Sequence, residues 1–179
     1  MNDSKNERGE TANSVRDRLA PWLVNVALLL MALELGGSLY ERLVVDPAWP
    51  TNPAIVQPDS GGVNRKVFWI PLHGALTLLL PIALWACWRS RAPRRWLLAA
   101  IGIYLAMRVW TFAYFIPLAL QFEAAEEFSY TLAKDAQTWV LLSSVRTSMI
   151  LTVVAALWAA ARRLDREPKA VGKPPPRTG

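Results

Sequence analysis

The sequence predicts an all-α protein, a bundle of four transmembrane helices with both termini on the cytoplasmic side. Three observations carry that expectation. Hydrophobic residues make up 53% of the 179 and gather in four blocks, at 21–45, 67–88, 96–122 and 138–161. Each block reaches the roughly 20 residues that a helix needs to cross a bilayer. The basic residues cluster on alternate connections, as they do in membrane proteins that keep positive charge inside.

The chain divides accordingly into a polar cytoplasmic tail at 1–20, a membrane domain at 21–162 and a basic, disordered tail at 163–179. Helices are the expected form because backbone polar groups in hydrocarbon must satisfy one another within the segment. The first block follows about twenty polar residues and ends in Tyr40-Glu41-Arg42. It therefore reads as a membrane helix and not as a cleavable signal peptide. The second contains Pro81, which frees the carbonyl of Thr77 and bends the helix. The third leads into "FEAAEEFSYTLAKDA", an acidic stretch expected to prolong the helix or lie along the interface. The fourth ends in "AALWAAA", whose small residues, like Gly36 and Gly37 in the first, permit close helix approach. Most of the 9 tryptophans read as interfacial anchors or packing.

Net charge is +6, with a pI near 9.9, but its distribution speaks against nucleic acid. Lys5, Arg8, Arg16 and Arg18 precede the first helix; Arg89, Arg91, Arg94 and Arg95 join the second to the third; Arg162, Arg163, Arg166, Lys169, Lys173 and Arg177 follow the fourth. The opposite side holds Arg42, Arg65, Lys66 and Lys134 among six carboxylates. The charge is topological, with some attraction to anionic membrane lipid. The expected location is the bacterial inner membrane. The single cysteine, Cys87, excludes an intrachain disulfide.

Charges inside the blocks point to a site. At about 1.5 Å of rise per residue, Glu34 and Arg108 lie about 18 Å from the cytoplasmic ends, while His73 and Arg146 lie about 9 and 14 Å from the outer ends. All four fall in one slab, from the midplane to the outer third. The polar residues also keep helical spacing: Glu34, Ser38 and Glu41; Trp69, His73 and Thr77; Tyr104, Arg108, Thr111 and Phe115; Trp139, Ser143 and Arg146. A bundle buries such stripes against each other, because lipid solvates none of them. The expected arrangement sets Glu34 and Glu41 against Arg108 and Arg146 as neutralising pairs.

Two readings of the slab follow. One is a structural ion-pair cluster that fixes helix register, although buried pairs stabilise poorly relative to apolar packing. The other is a polar cavity that receives a ligand, and five ionisable groups in one slab favour it. His73 beside Glu34 or Glu41 suits a general base. A metal on His73, Glu34 and Glu41 would be ligand-poor and opposed by two arginines, so neither metal nor cofactor is expected, and two-histidine haem is excluded by the count of 1 histidine. The outer loop 46–66 is long and proline-rich, with Gly61–Gly62 as its pivot, and reads either as a lid or as a spacer.

The runs "GGSLYERLVVDPAW" and "WVLLSSVRT" resemble the small four-helix membrane family that includes the anthrone oxygenases. In that family a Tyr-Glu pair precedes Pro-x-Trp, and Trp-x-x-x-Asn-x-x-Arg-Thr marks the last helix. Tyr40, Glu41, Pro47, Trp49, Trp139, Arg146 and Thr147 occupy the matching positions; Ser143 stands at the asparagine, and "IPLALQF" lacks a second asparagine. The resemblance spans about 25–160. It implies a membrane protein and, for some members, an oxygenase that converts an anthrone to an anthraquinone without a known metal or flavin. Placed on this chain, His73 or Glu41 would act as the base, with Arg146 and Arg108 stabilising the oxyanion. Glu34, Trp139, Ser143, Tyr40, Tyr104 and Trp49 would contact the substrate. Three function classes stay open: an enzyme acting on a hydrophobic aromatic or lipid-like small molecule, a non-catalytic binding or transport-accessory protein, and a structural subunit of a membrane complex. Homo-oligomerisation is left open with them.

Overall fold

The computed structural model describes residues 3–166, with side chains from Val15 onward except Asp17. These residues are helical throughout apart from loops, and no strand occurs among them. Five α-helices follow one another: α1 (Asp3–Tyr40), α2 (Lys66–Ala86), α3 (Arg91–Trp110), α4 (Ile116–Ala124) and α5 (Tyr130–Arg166). α3 and α4 join through one turn of π-helix, so four segments are long and apolar enough to cross a membrane: Arg18–Val45, Lys66–Ala86, Arg91–Ala124 and Tyr130–Arg166.

The helices exceed the expected blocks at most ends. α1 is helical from Asp3, through the stretch expected to be a polar tail, and α5 begins at Tyr130 rather than 138. The acidic stretch after the third block is divided: it prolongs the helix only to Ala124, and the chain re-enters helix at Tyr130. The disordered tail expected beyond residue 166 lies outside the described residues.

Two π turns mark the half of the bundle that carries the 46–65 loop. Asp46 N–H reaches Glu41 O, closing Glu41–Val45, and Ile116 N–H reaches Thr111 O, closing Thr111–Phe115. The residue after each closing donor is proline, Pro47 and Pro117. A proline ring has no N–H and presses on the carbonyl four residues back, so the wider i→i−5 bond takes over.

α1, α2, α3 and α5 form a closed ring. α5 packs extensively on both α1 and α3, whereas α2 and α3 share the thinnest seam. Two apolar cores fill the ring. The inner one joins Val24, Met31, Leu76, Leu80, Leu97, Met107, Ile150 and Leu157; the outer one joins Trp49, Val56, Phe115, Phe122 and Trp139. Between them in sequence fall the polar stripes.

The loop 46–65 is a packed cap. Trp49 is fully buried, its ring 5.0 Å from Phe122 and 5.6 Å from Trp139, and its Nε1–H donates to Asp46 Oδ1 at 3.2 Å. Gln57 Nε2 donates to the Phe122 and Ala125 carbonyls at 2.9 and 2.7 Å, satisfying the end of α4. Val63 N–H bonds Ile55 O across the loop, and a Cβ at Gly62 would run into the Ala54 carbonyl. Gly62 is thus required by close backbone approach.

Candidate functional site

The stripes meet around a cavity of about 910 Å³ between α2, α3, α4 and α5. Its polar wall is Glu41, Arg65, Lys66, Trp69, His73, Thr77, Arg108, Thr111, Glu123, Trp139 and Arg146. Its apolar wall includes Leu78, Leu105, Val109, Phe112, Phe115, Ile116 and Leu120. The two π turns contribute directly: one begins at Glu41, and the other turns Thr111, Phe112 and Phe115 to the wall.

His73 is held from three sides. Its Nδ1 is sealed from solvent, 3.7 Å from Glu34 Oε1. Its ring stacks on Trp69, with centroids 5.4 Å apart and planes 19° apart. Its backbone carbonyl accepts from Thr77 Oγ1 at 2.7 Å and from the Tyr104 hydroxyl at 3.2 Å. Glu34 is 1% exposed and lies behind the wall, with Oε2 unpartnered. At 3.7 Å Glu34 and His73 make no hydrogen bond, and His73 Nδ1, like Glu34 Oε2, has no partner; the residue types, not the present geometry, are those of a base with a carboxylate behind it.

The arginines depart from expectation. Among the described residues no carboxylate lies within 4.0 Å of Arg108 or Arg146; Lys66–Glu123 at 2.6 Å is an ion pair, and Glu34 approaches His73. Glu41 instead accepts the Trp69 Nε1–H at 2.9 Å. Arg146 lies over the Phe115 ring, 4.3 Å from its centroid, and 5.8 Å from the Trp139 ring; Arg108 lies 4.9 Å from the Phe112 centroid. A guanidinium is flat and weakly hydrated, so an aromatic face shelters it in place of a carboxylate. The register-fixing Glu–Arg pairs are therefore absent here.

The other expected residues scatter. Trp139 lines the cavity. Tyr104 is buried behind it and bonds His73 and Thr77. Ser143 is buried, its hydroxyl without a partner, away from the cavity lining. Trp49 belongs to the outer core. Tyr40 is exposed and lines a second groove of about 580 Å³ that shares Glu41, Arg65 and Trp69 with the cavity.

No family model, curated protein or solved structure matches the chain. The site must be read from its own geometry.

Arg65, Lys66 and Glu123 were not among the expected site residues, because they sit outside the apolar blocks and no helical stripe contains them. Arg65 immediately precedes α2, with its guanidinium 5.4 Å from the Trp139 centroid. The signal available in sequence was position alone: a basic pair at the outer start of a helix, opposite a tryptophan. His73, Arg108, Arg146 and Glu41, taken from depth and spacing, do share the cavity.

Proposed function

We propose that the chain is an integral membrane enzyme, with both termini in the cytoplasm of a bacterial inner membrane, that carries out acid–base-assisted oxidation of a hydrophobic aromatic molecule. The observation that carries this reading is the convergence of His73, Glu41, Arg108 and Arg146 on one largely apolar cavity. The cavity has the volume of a small-molecule site, and its few polar groups converge as such sites require.

The chemistry follows from the residues. His73, with Glu34 behind it, removes a proton from the activated methylene of an anthrone-like substrate. The electron pair left behind moves onto the ring oxygen, where the Arg108 and Arg146 guanidiniums stabilise the negative charge. Dioxygen then bonds to the carbon, and loss of water from the hydroperoxide leaves a carbonyl. One substrate and one dioxygen give one quinone and one water, and the step calls on no metal or flavin. The resemblance to the anthrone oxygenase family supports this class of substrate.

The test is turnover. Purified protein in mild detergent is supplied with an anthrone and oxygen, and quinone formation is followed by absorbance. His73→Gln is expected to lower the rate by about 10²–10⁴-fold, the usual contribution of a general base. Arg146→Leu is expected to lower it by about 10²–10³-fold, as for loss of an oxyanion donor. Both variants should keep wild-type helicity. Substrate binding without any turnover in the wild type would overturn the enzymatic reading in favour of a binding protein.

A further inference from the structure

The charge on the cavity wall does not balance. Arg65, Lys66, Arg108 and Arg146 face it with Glu41 and Glu123, four cations against two carboxylates, which leaves two positive charges on the wall itself, and Glu34 sealed behind it offsets at most one of them. Lys66 and Glu123 neutralise each other at 2.6 Å, and Glu41 is engaged by the Trp69 N–H. The excess therefore resides on the three guanidiniums. Two of them, Arg65 and Arg146, gather over the one Trp139 ring, within 5.4 and 5.8 Å of its centroid. They reach it from different elements, the start of α2 and the middle of α5. Like charges drawn together at low dielectric raise each other's energy unless an anion joins them.

The rest of the lining is largely apolar. Leu78 of α2 and Leu105, Val109, Phe112 and Leu120 of α3, α4 and the turn between them belong to it and are all exposed on the outside of the bundle. They flank the thinnest seam of the ring, between α2 and α3. In a bilayer that seam faces acyl chains, so a ligand reaches the cavity sideways from the membrane.

We infer that the cavity takes an amphiphile with an oxyanion head, a carboxylate or a phosphate, which is seated at Arg65 and the edge of Arg146 that shares the Trp139 ring with it, while its apolar body lies along the α2–α3 seam, where Arg108 over Phe112 meets the reacting part of the molecule. This rests on the cavity being the ligand site, and it adds the head group and the route. Guanidinium forks suit carboxylate and phosphate oxygens alike, and the aromatic shelter beneath Arg146 leaves its N–H edges free to donate. Arg65 is a head-group ligand in this arrangement and takes no part in proton transfer at His73.

The experiment compares three ligands of equal chain length, myristate, tetradecyl phosphate and tetradecanol, titrated onto the full chain in a neutral maltoside detergent and counted by native mass spectrometry. The two acids are expected to bind at least about tenfold more tightly than the alcohol. Their affinities should fall as salt is raised, whereas that of the alcohol should not. Arg65→Gln should bring both acids close to the alcohol. Whichever acid binds more tightly identifies the head as carboxylate or phosphate. Equal binding of alcohol and acids would overturn the oxyanion assignment while leaving the cavity as a hydrophobic site and the turnover reading untouched. Binding of none of the three would overturn the assignment as well; anthrone turnover in the same preparation would then show the catalytic reading surviving alone. The comparison of head groups is made on the wild-type protein, so it stands even where a variant fails to fold.

Discussion

Asp46 shows how one buried carboxyl carries opposed demands. It lies just beyond the first membrane-length segment, 3% exposed, and accepts the Trp49 N–H. Burial holds its pKa above the ordinary carboxylate value, with the Trp49 hydrogen bond pulling the other way. A pKa raised by folding means that the fold favours the protonated form. The stability contributed by this group is therefore complete below the ordinary carboxylate pKa and is lost as pH rises through the raised value. Asparagine keeps the acceptor for Trp49 and cannot ionise. The melting temperature of Asp46→Asn, relative to wild type, is expected to improve as pH rises from the ordinary carboxylate pKa through the raised one. A constant offset across that range would show that the carboxyl does not titrate in the folded protein as described. Trp49 itself is the larger structural investment. Trp49→Ala should cost about 3–5 kcal/mol, the range for emptying a fully buried aromatic site. Chemical unfolding in detergent would measure it.

At the scale of an element, the π turns connect sequence to site. Both precede a proline, and both deliver cavity residues, Glu41 from one and Phe112 and Phe115 from the other. Phe115 is the ring beneath Arg146. Pro117→Ala restores an N–H that can reach the Ala113 carbonyl, allowing Thr111–Phe115 to relax to an ordinary α-turn and rotate Phe115 away. The variant is expected to be at least as stable as wild type in thermal melts, yet to bind and turn over ligand more weakly. Loss of stability with unchanged affinity would refute the link between the proline and the site. Much of this was legible in the sequence. Helical spacing placed Trp69 with His73 and Trp139 with Arg146, because burial of a polar stripe forces a period near 3.6. The partners of the charges were not legible. Spacing says which face Arg146 occupies, but an aromatic ring and a carboxylate are equally available to it on neighbouring helices, and the choice depends on rotation and depth. Gln57 illustrates the same limit: it caps α4 from a loop 65 residues earlier in the chain, a contact that no local pattern encodes.

For the whole molecule, the governing fact is that charge sorts by end. Arg16 of α1 stacks on Trp85 of α2, Arg94 of α3 on Trp88, and Arg162 of α5 on Trp158, each at about the same 5.3–5.8 Å from the ring centroid. The first of these contacts joins two elements directly, and the alternation of the ring sets all three at the end from which α1 starts and α5 finishes. Arginine–aromatic pairs at a helix end suit the headgroup region, where the guanidinium meets phosphate and the indole meets the acyl boundary. The other end carries the Trp49 cap and the Lys66–Glu123 pair over the cavity. If the arginine-rich end faces the cytoplasm, the cavity opens in the outer half of the bilayer, and its ligand comes from the outer leaflet. That orientation is tested by attaching a fluorescent protein that matures only in the cytoplasm to the C-terminus and, separately, inserting a phosphatase active only outside the cytoplasm after Asp59, in the 46–65 loop. The C-terminal fusion is expected to fluoresce and the loop insertion to show phosphatase activity. A dark C-terminal fusion together with an inactive loop phosphatase, both at normal expression, would invert the orientation. The arginine–tryptophan end would then face outward, and the proposed anion site in the cavity would draw on the cytoplasmic leaflet instead.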